Sequence, residues 1–96
     1  MSKYSVRTTA YFRKSLKKLS PDVQKTIAKF IKKHLIDVDF PDTPGKKLVG
    51  NLSGYVRFRI GSYRLITVIN DDQLIITTVY VGKRSDVYNV NMKKIR

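Results

Sequence analysis

Apolar residues follow a helical spacing in the first third of the chain and an alternating spacing beyond residue 55. Residues 4–7 alternate, and they predict a short strand whose inward side chain is Val6. Thr8 or Thr9 then offers a hydroxyl that can cap a helix. The helix is indicated by an approximately helical stripe of apolar residues, namely Ala10, Phe12, Leu16 and Leu19.

A second helix has a clearer start signal. Ser20, Pro21 and Asp22 supply a capping hydroxyl, a proline at the first helical position and an acid in the first turn. The apolar residues that follow are spaced three and four apart, and they are Val23, Ile27, Phe30, Ile31 and Leu35. Two amphipathic helices joined by so short a turn predict an antiparallel helical hairpin.

The second half of the chain has a β pattern. Residues 37–50 contain two prolines and two glycines, and they predict a connecting loop. Residues 55–60, 63–70 and 73–81 predict three strands joined by short turns, with the very apolar third one as the buried central strand. The predicted fold is α+β, a single domain over residues 1–96. It has an N-terminal strand and the helical hairpin packed on a small antiparallel sheet of about four strands, followed by a short C-terminal tail or helix.

Charge adds a strong constraint on the partners. The chain has 96 residues and a formal net charge of +13, and its seven acids are all aspartates. Such an excess of positive charge favours RNA, DNA, an anionic membrane or an acidic protein as partner. There is no cysteine, which excludes disulfides and thiolate metal sites. No apolar run approaches the roughly 18 residues of a membrane span, and residues 1–7 lack the apolar core of a signal peptide, so we expect a cytoplasmic location.

Several cations are predicted to meet on one surface of the sheet. Arg57 and Arg59 alternate with apolar residues, so both side chains project from one face. Arg64 returns on the next strand after a tight turn. Three further residues follow the end of the last strand, and they are Lys83, Arg84 and Tyr88. Because guanidinium groups match the geometry of phosphate, phosphate is the expected anion.

Each candidate has a structural alternative. Exposed strand arginines also protect sheet edges from pairing, but the only carboxylates between residues 55 and 81 are Asp71 and Asp72. Helix lysines usually form a solvated face. Their functional interpretation is contact with an RNA backbone, and it applies to Lys17, Lys18, Lys32 and Lys33 together with Lys83. His34, the only histidine, suits the end of a helix, and no cofactor or metal site is predicted around it.

This surface is suited to cleaving RNA without a metal. The reaction needs a base for the 2′-hydroxyl, positive charge for the pentavalent phosphate and a proton for the leaving 5′-oxygen. A tyrosine phenol has a pKa of about 10, and we expect several nearby guanidinium groups to lower that value for Tyr88 and favour it as the base. DNA lacks the 2′-hydroxyl, so the chemistry is specific to RNA.

Two motifs carry a resemblance to a known family. The chain contains Gly-Tyr-x-Arg-x-Arg-x-Gly-x-Tyr-Arg-Leu from residue 54 and Val-Gly-Lys-Arg-x-x-Val-Tyr from residue 81. With the order of strand, helical hairpin and loop, these motifs resemble the RelE/ParE toxin superfamily, and most closely its RelE branch of ribosome-dependent mRNA interferases. The resemblance implies a toxin that binds the ribosomal A site, cuts mRNA there and is neutralised by an acidic RelB-like antitoxin.

The resemblance also implies roles for individual residues. Arg57 and Arg59 match two basic strand residues that hold and polarise the mRNA backbone, which are lysines in the best-known RelE. Arg64 matches the arginine that stabilises transition-state charge. Arg84 matches the group that protonates the leaving oxygen, and Tyr88 the group that takes the 2′-hydroxyl proton. The YoeB mechanism needs a glutamate and a late histidine, which this chain lacks.

Two other functions compete with RNA cleavage. A ParE-like toxin shares the fold and inhibits DNA gyrase by binding, without RNA chemistry. A non-catalytic RNA-binding module predicts salt-sensitive binding without strand scission. This last hypothesis is disfavoured because the sequence shows no aromatic platform for stacking single-stranded bases.

Overall fold

The computed structural model describes residues 3–38 and 45–83. Two helices occupy its first half, α1 (Ala10–Lys17) and α2 (Pro21–His34). The strands are β1 (Ser5–Thr8), β2 (Lys46–Lys47), β3 (Val56–Ile60), β4 (Tyr63–Asn70) and β5 (Ile75–Lys83), with a short 3-10 turn at Gly50–Leu52. The predicted tail, residues 85–96, lies outside the described residues.

Both helices begin at the predicted capping residues. Thr9 Oγ1 accepts from the Phe12 amide at 3.0 Å, so Thr9 rather than Thr8 is the cap of α1. Ser20 Oγ accepts from the Val23 amide at 3.4 Å, and Pro21 is the first residue of α2. These side chains satisfy amides that have no partner within the helix. The predicted starts are confirmed.

The five strands form one sheet in the order β1-β5-β4-β3-β2. Strands β2 to β5 pair antiparallel with their neighbours, whereas β1 runs parallel to β5, with Val6 opposite Ile76. The turn between β3 and β4 has two residues, and Gly61 there adopts a φ of 60°. A glycine at that position suits a tight hairpin turn because a positive φ costs it little.

The α+β class is confirmed, and three details of the predicted sheet are corrected. The sheet has five strands rather than about four, because the N-terminal strand joins it and Lys46–Lys47 pairs with β3. It is mixed rather than antiparallel, because β1 runs parallel to β5. The centre of the order is β4, so β5 is not the central strand. Its side chains nevertheless pack against apolar clusters on both faces of the sheet, which explains its apolar sequence.

Apolar side chains pack on both faces of the sheet. The larger cluster joins the helices to one face and includes Ile27, Phe58, Leu65 and Val81. A smaller cluster on the other face is built on Ile66 and Val79, with partly buried neighbours Tyr11, Leu48, Tyr55, Val68 and Tyr80. The face that packs on the helices therefore forms the main core, whereas the opposite face has a smaller apolar cluster and room for polar side chains.

The pairing of β4 with β5 contains a β-bulge. Ile66 lies opposite Tyr80 and Thr67 lies opposite Thr78, so Val79 is the extra residue. One extra residue reverses the alternation of side chains along a strand. Consequently Ile76 and Val81, five positions apart, both point into the main core. Tyr80 instead lies on the opposite face with Ile66.

Candidate functional site

Four cations are brought together on the face opposite the helices. In the register of the sheet Lys46 lies opposite Arg57, and Arg59 lies opposite Arg64. Paired residues of an antiparallel sheet have side chains on the same face, with Cα atoms about 4.5–5.5 Å apart. We call Lys46, Arg57, Arg59 and Arg64 the arginine face. Lys46 was not predicted, because its strand lay within a segment interpreted as a loop.

The arginines of this face differ in exposure. Arg57 is 8% exposed and Arg64 is 7% exposed, whereas Arg59 is exposed. Nη1 of Arg64 donates to the carbonyl oxygens of Gly61 at 2.9 Å and Tyr63 at 2.8 Å. Arg64 is therefore held against the turn between β3 and β4 and has lost much of its rotamer freedom before any ligand binds. A pre-ordered guanidinium beside an exposed one suits the binding of an anion.

The carboxylates of the turn between β4 and β5 lie far along the sheet from Arg64. Asp71 and Asp72 follow β4 in the turn to β5, and six residue steps along the strand from Arg64 to Asn70 span about 20 Å. Asp71 accepts a hydrogen bond from Tyr4 Oη at 2.5 Å. Like charges directly opposite each other, such as Arg59 and Arg64, destabilise a sheet. A bound polyanion relieves that repulsion.

The predicted backbone-contacting lysines fall in two separate places. Lys17 and Lys18 are exposed around the end of α1, and Lys83 is exposed at the end of β5. Lys32 and Lys33 are exposed in the last turn of α2, which packs on the main core through Ile27 and Phe30. They therefore lie on the other side of the sheet from the arginine face. Arg84 and Tyr88 lie outside the described residues.

A cleft of about 680 Å³ lies where α1 passes the edge of β5. Its lining includes Tyr11, Lys14 and Lys18 from the helix and Tyr80, Gly82 and Lys83 from the strand. The rings of Tyr11 and Tyr80 are 5.4 Å apart between centroids, with an interplanar angle of 33°. This aromatic pair was not predicted from the sequence. Strict alternation from Ile76 would point Tyr80 into the core, and the bulge, which has no sequence signal here, reverses it.

No group of three His, Asp or Glu side chains within residues 3–38 and 45–83 is placed to hold a metal ion. The ring of His34 lies 4.6 Å from that of Phe30, as expected for a packed histidine at the end of a helix. No helix among these residues is both long and apolar enough to cross a membrane.

Comparison with known proteins identifies the family. A family model described as the ParE toxin of the type II toxin–antitoxin system parDE matches residues 6–88. The chain belongs to the RelE/ParE toxin superfamily. An Escherichia coli protein with the provisional name RelE-like toxin protein is 37% identical to it, over 98% of this chain and 99% of that protein. Toxin RelG of Mycobacterium tuberculosis is 33% identical, over 88% and 95%.

Solved structures show the same relationship in three dimensions. The toxin–antitoxin complex RelBE2 of Mycobacterium tuberculosis contains a chain that superposes with a TM-score of 0.79 at 32% identity, covering 90% of this chain and 97% of that one. The isolated RelE toxin of Escherichia coli gives a TM-score of 0.64 at 24% identity, covering 97% and 99%, which shows a common fold. The predicted RelE-like family is confirmed: the chain is a toxin of a type II toxin–antitoxin system.

Proposed function

We propose that this toxin is a ribosome-dependent, metal-independent endoribonuclease that cuts mRNA in the ribosomal A site. The observation that carries the proposal is the arginine face, where two buried guanidinium groups and one exposed one lie together, remote from the carboxylates of the β4–β5 turn. Such a cluster stabilises the charge that develops on a phosphate during cleavage. Membership of the RelE-like family agrees with the RNA cleavage that the motif resemblance implies.

The residues divide the reaction between them. Arg57 and Arg59 hold the scissile phosphate, and Arg64 stabilises the added negative charge of the pentavalent state. Tyr88, as a phenolate, removes the 2′-hydroxyl proton, and the 2′-oxygen bonds to phosphorus. The bond to the 5′-oxygen breaks, and Arg84 delivers a proton to that oxygen. The products are a 2′,3′-cyclic phosphate and a 5′-hydroxyl end.

The burial of Arg57 and Arg64 strengthens the proposed electrostatic role. A buried guanidinium keeps its positive charge, because arginine is not deprotonated in proteins. In a region of low dielectric constant, its attraction to an oxyanion is stronger than in water. Arg59, which is exposed, can follow the RNA as it enters.

We propose that the partner of the toxin is an acidic RelB-like antitoxin in the cytoplasm. Relatives of this chain have been solved as toxin–antitoxin complexes, including RelBE2 of Mycobacterium tuberculosis. A formal net charge of +13 favours an acidic partner, whose charge masks the arginine face.

A substrate that lacks one hydroxyl tests the proposed chemistry. In a reconstituted translation reaction, the toxin is given an mRNA whose A-site codon carries a single 2′-deoxynucleotide at the cleaved position. We expect cleavage of the all-ribose mRNA, with 2′,3′-cyclic phosphate ends, and no cleavage at the substituted position. Cleavage that continues at the deoxynucleotide would exclude attack by the 2′-oxygen.

Gyrase inhibition remains the second candidate, because the matching family model is named for the ParE toxin. A DNA supercoiling assay with purified gyrase distinguishes the two activities. If the toxin is a ParE-like inhibitor, it blocks supercoiling, and Tyr88→Phe has little effect on growth arrest. If it is an endoribonuclease, supercoiling is unaffected and Tyr88→Phe nearly abolishes growth arrest.

A further inference from the structure

An aromatic pair marks the cleft between α1 and β5. Tyr11 and Tyr80 are both partly buried, and both pack against the small cluster of Ile66 and Val79. Their ring contact of 5.4 Å and their apolar support hold the two side chains in a fixed orientation. They also line the cleft, so part of each ring surface faces an open space. Rings of this kind stack with nucleobases without regard to sequence.

The position of the Tyr80 ring depends on a glycine. A Cβ atom added to Gly82 would lie 2.7 Å from Tyr80 Oη and 2.9 Å from its Cε2. The ring therefore lies along the strand over Gly82, which is opposite Arg64 in the sheet. Opposite residues have Cα atoms about 4.5–5.5 Å apart. The tyrosine pair is thus next to the arginine face on the same side of the sheet.

Cations border the rings. Lys14 and Lys18 lie one helical turn apart on α1, about 6 Å along its axis, and Lys83 contributes from the strand side. Lys14 and Lys18 are exposed, and both line the cleft with the tyrosines. An aromatic surface bordered by ammonium groups matches a nucleotide, which has a base to stack and phosphates to neutralise. The cleft volume of about 680 Å³ is in the range that small-molecule sites occupy.

We propose that this cleft is a subsite for a single-stranded RNA nucleotide that flanks the bond to be cut. The base stacks on the Tyr11–Tyr80 pair, its backbone runs past Lys14 and Lys18, and the adjacent phosphate reaches the arginine face. The subsite rests on the proposed function for its position in the reaction. Because stacking is tolerant of sequence, it contributes affinity and register rather than codon choice.

Equilibrium binding to an RNA that cannot be cut tests the subsite alone. The probe is a fluorescein-labelled, single-stranded eight-nucleotide RNA with 2′-O-methyl groups, and its Kd is measured by fluorescence anisotropy at a fixed salt concentration. A matched probe keeps the backbone but has abasic positions. Stacking is worth about 1–3 kcal/mol per base, so wild type should bind the intact probe at least about fivefold more tightly. Tyr80→Leu and Tyr11→Leu should remove that difference.

Conservative variants separate stacking from folding. Tyr80→Phe keeps the ring and should bind within about twofold of wild type, because the π surface is retained. Gly82→Ala forces the ring away from its position without removing it, and should weaken the intact probe as Tyr80→Leu does. Thermal melting of each variant identifies any loss of fold. If Tyr80→Leu itself unfolds, Gly82→Ala and Tyr11→Leu still test the proposal.

Substitution of the cleft lysines should affect RNA binding differently from substitution of the tyrosines. Lys14→Ala and Lys18→Ala should weaken the intact and abasic probes equally, and each should reduce the slope of log K against log salt by about 0.7. Lys29→Ala is the matched control, since Lys29 is an exposed lysine of α2 that does not line the cleft. Lys29→Ala should change the slope and the Kd less than Lys14→Ala or Lys18→Ala does.

The outcomes are distinct from those that test RNA cleavage. Folded Tyr80→Leu protein that binds both probes like wild type overturns the subsite, even if mRNA cleavage is found. Tyrosine-dependent binding with no cleavage by the wild-type toxin leaves the subsite standing and removes the proposed function. If Tyr80→Leu weakens only the complex with the antitoxin, the cleft is a protein-docking surface and the proposal is wrong.

Discussion

Arg64 has a structural role that the sequence pattern did not predict. Alternation along β3 and β4 predicts that Arg57, Arg59 and Arg64 share a face, and the register of the sheet confirms this. The two hydrogen bonds from Nη1 of Arg64 to the β3–β4 turn could not be predicted, because they depend on the path of the turn backbone. Arg64 is therefore a structural residue as well as a candidate for charge stabilisation.

Replacement of Arg64 by lysine should separate these two roles. Arg64→Lys keeps a positive charge but loses the planar guanidinium that reaches both carbonyl oxygens. We expect the free energy of unfolding to fall by about 1–3 kcal/mol, as measured by urea denaturation. Arg59→Lys is the control, since Arg59 is exposed, and its effect should stay within about 0.5 kcal/mol. Equal effects of the two variants would show that the turn contacts contribute nothing.

At the scale of helices and strands, features set by neighbouring residues were predicted, whereas pairing between strands distant in sequence was not. The helix starts at Thr9 and Ser20 follow from hydroxyl capping within four residues of sequence, and both were found. The parallel pairing of β1 with β5 joins residues about seventy positions apart, and no local pattern encodes it. The sequence also gives no signal for the bulge at Val79, which is why Tyr80 was missed as a candidate.

Helix α1 is attached to the edge of β5 by a buried serine. Ser15 Oγ accepts from the Val81 amide at 3.1 Å and donates to the Phe12 carbonyl at 2.7 Å. Val81 lies beyond the part of β5 that pairs with β1, so this hydroxyl takes the place of a neighbouring strand. The same contact holds α1 beside the tyrosine cleft.

Ser15→Ala should therefore loosen α1 from the sheet. The change leaves the Val81 amide buried without its acceptor, and we expect a loss of about 1–3 kcal/mol in the free energy of unfolding. Amide hydrogen exchange, read at Val81, should accelerate more than at Leu65 in the middle of β4. Ser53→Ala, at an exposed serine, serves as control. Unchanged exchange at Val81 would contradict the assigned contact.

At the scale of the whole molecule, the dominant property is positive charge. The formal net charge of +13 is spread over both sides of the sheet, with Lys32 and Lys33 on one side and the arginine face on the other. The sequence predicted the magnitude of this charge, whereas only the structure separates its two locations. Two separate basic surfaces fit the proposed contacts with mRNA and with the surrounding ribosomal RNA.

Self-repulsion should make the stability of the isolated toxin depend on salt. Because salt screens like charges within a Debye length of about 10 Å at 0.1 M, the Tm should rise as sodium chloride increases from 20 mM to 500 mM. Differential scanning fluorimetry measures this shift. A polyanion such as heparin should raise the Tm at much lower concentration. A Tm that stays constant or falls across the series would indicate that the charges are already neutralised within the fold.

Primer extension on a translated mRNA, with and without ribosomes, is the most direct test of the proposed mRNA cleavage in the A site. The comparison includes wild type, Arg84→Ala, Tyr88→Phe and the control Lys25→Ala, in which the replaced lysine is exposed on α2. We expect cuts within A-site codons that require ribosomes and persist in Lys25→Ala. Because general acid–base groups contribute about 10²–10⁴ in rate, the cuts should weaken at least a hundredfold in Arg84→Ala and Tyr88→Phe. Growth arrest by a wild-type toxin that produces no cuts would contradict the proposed mRNA cleavage.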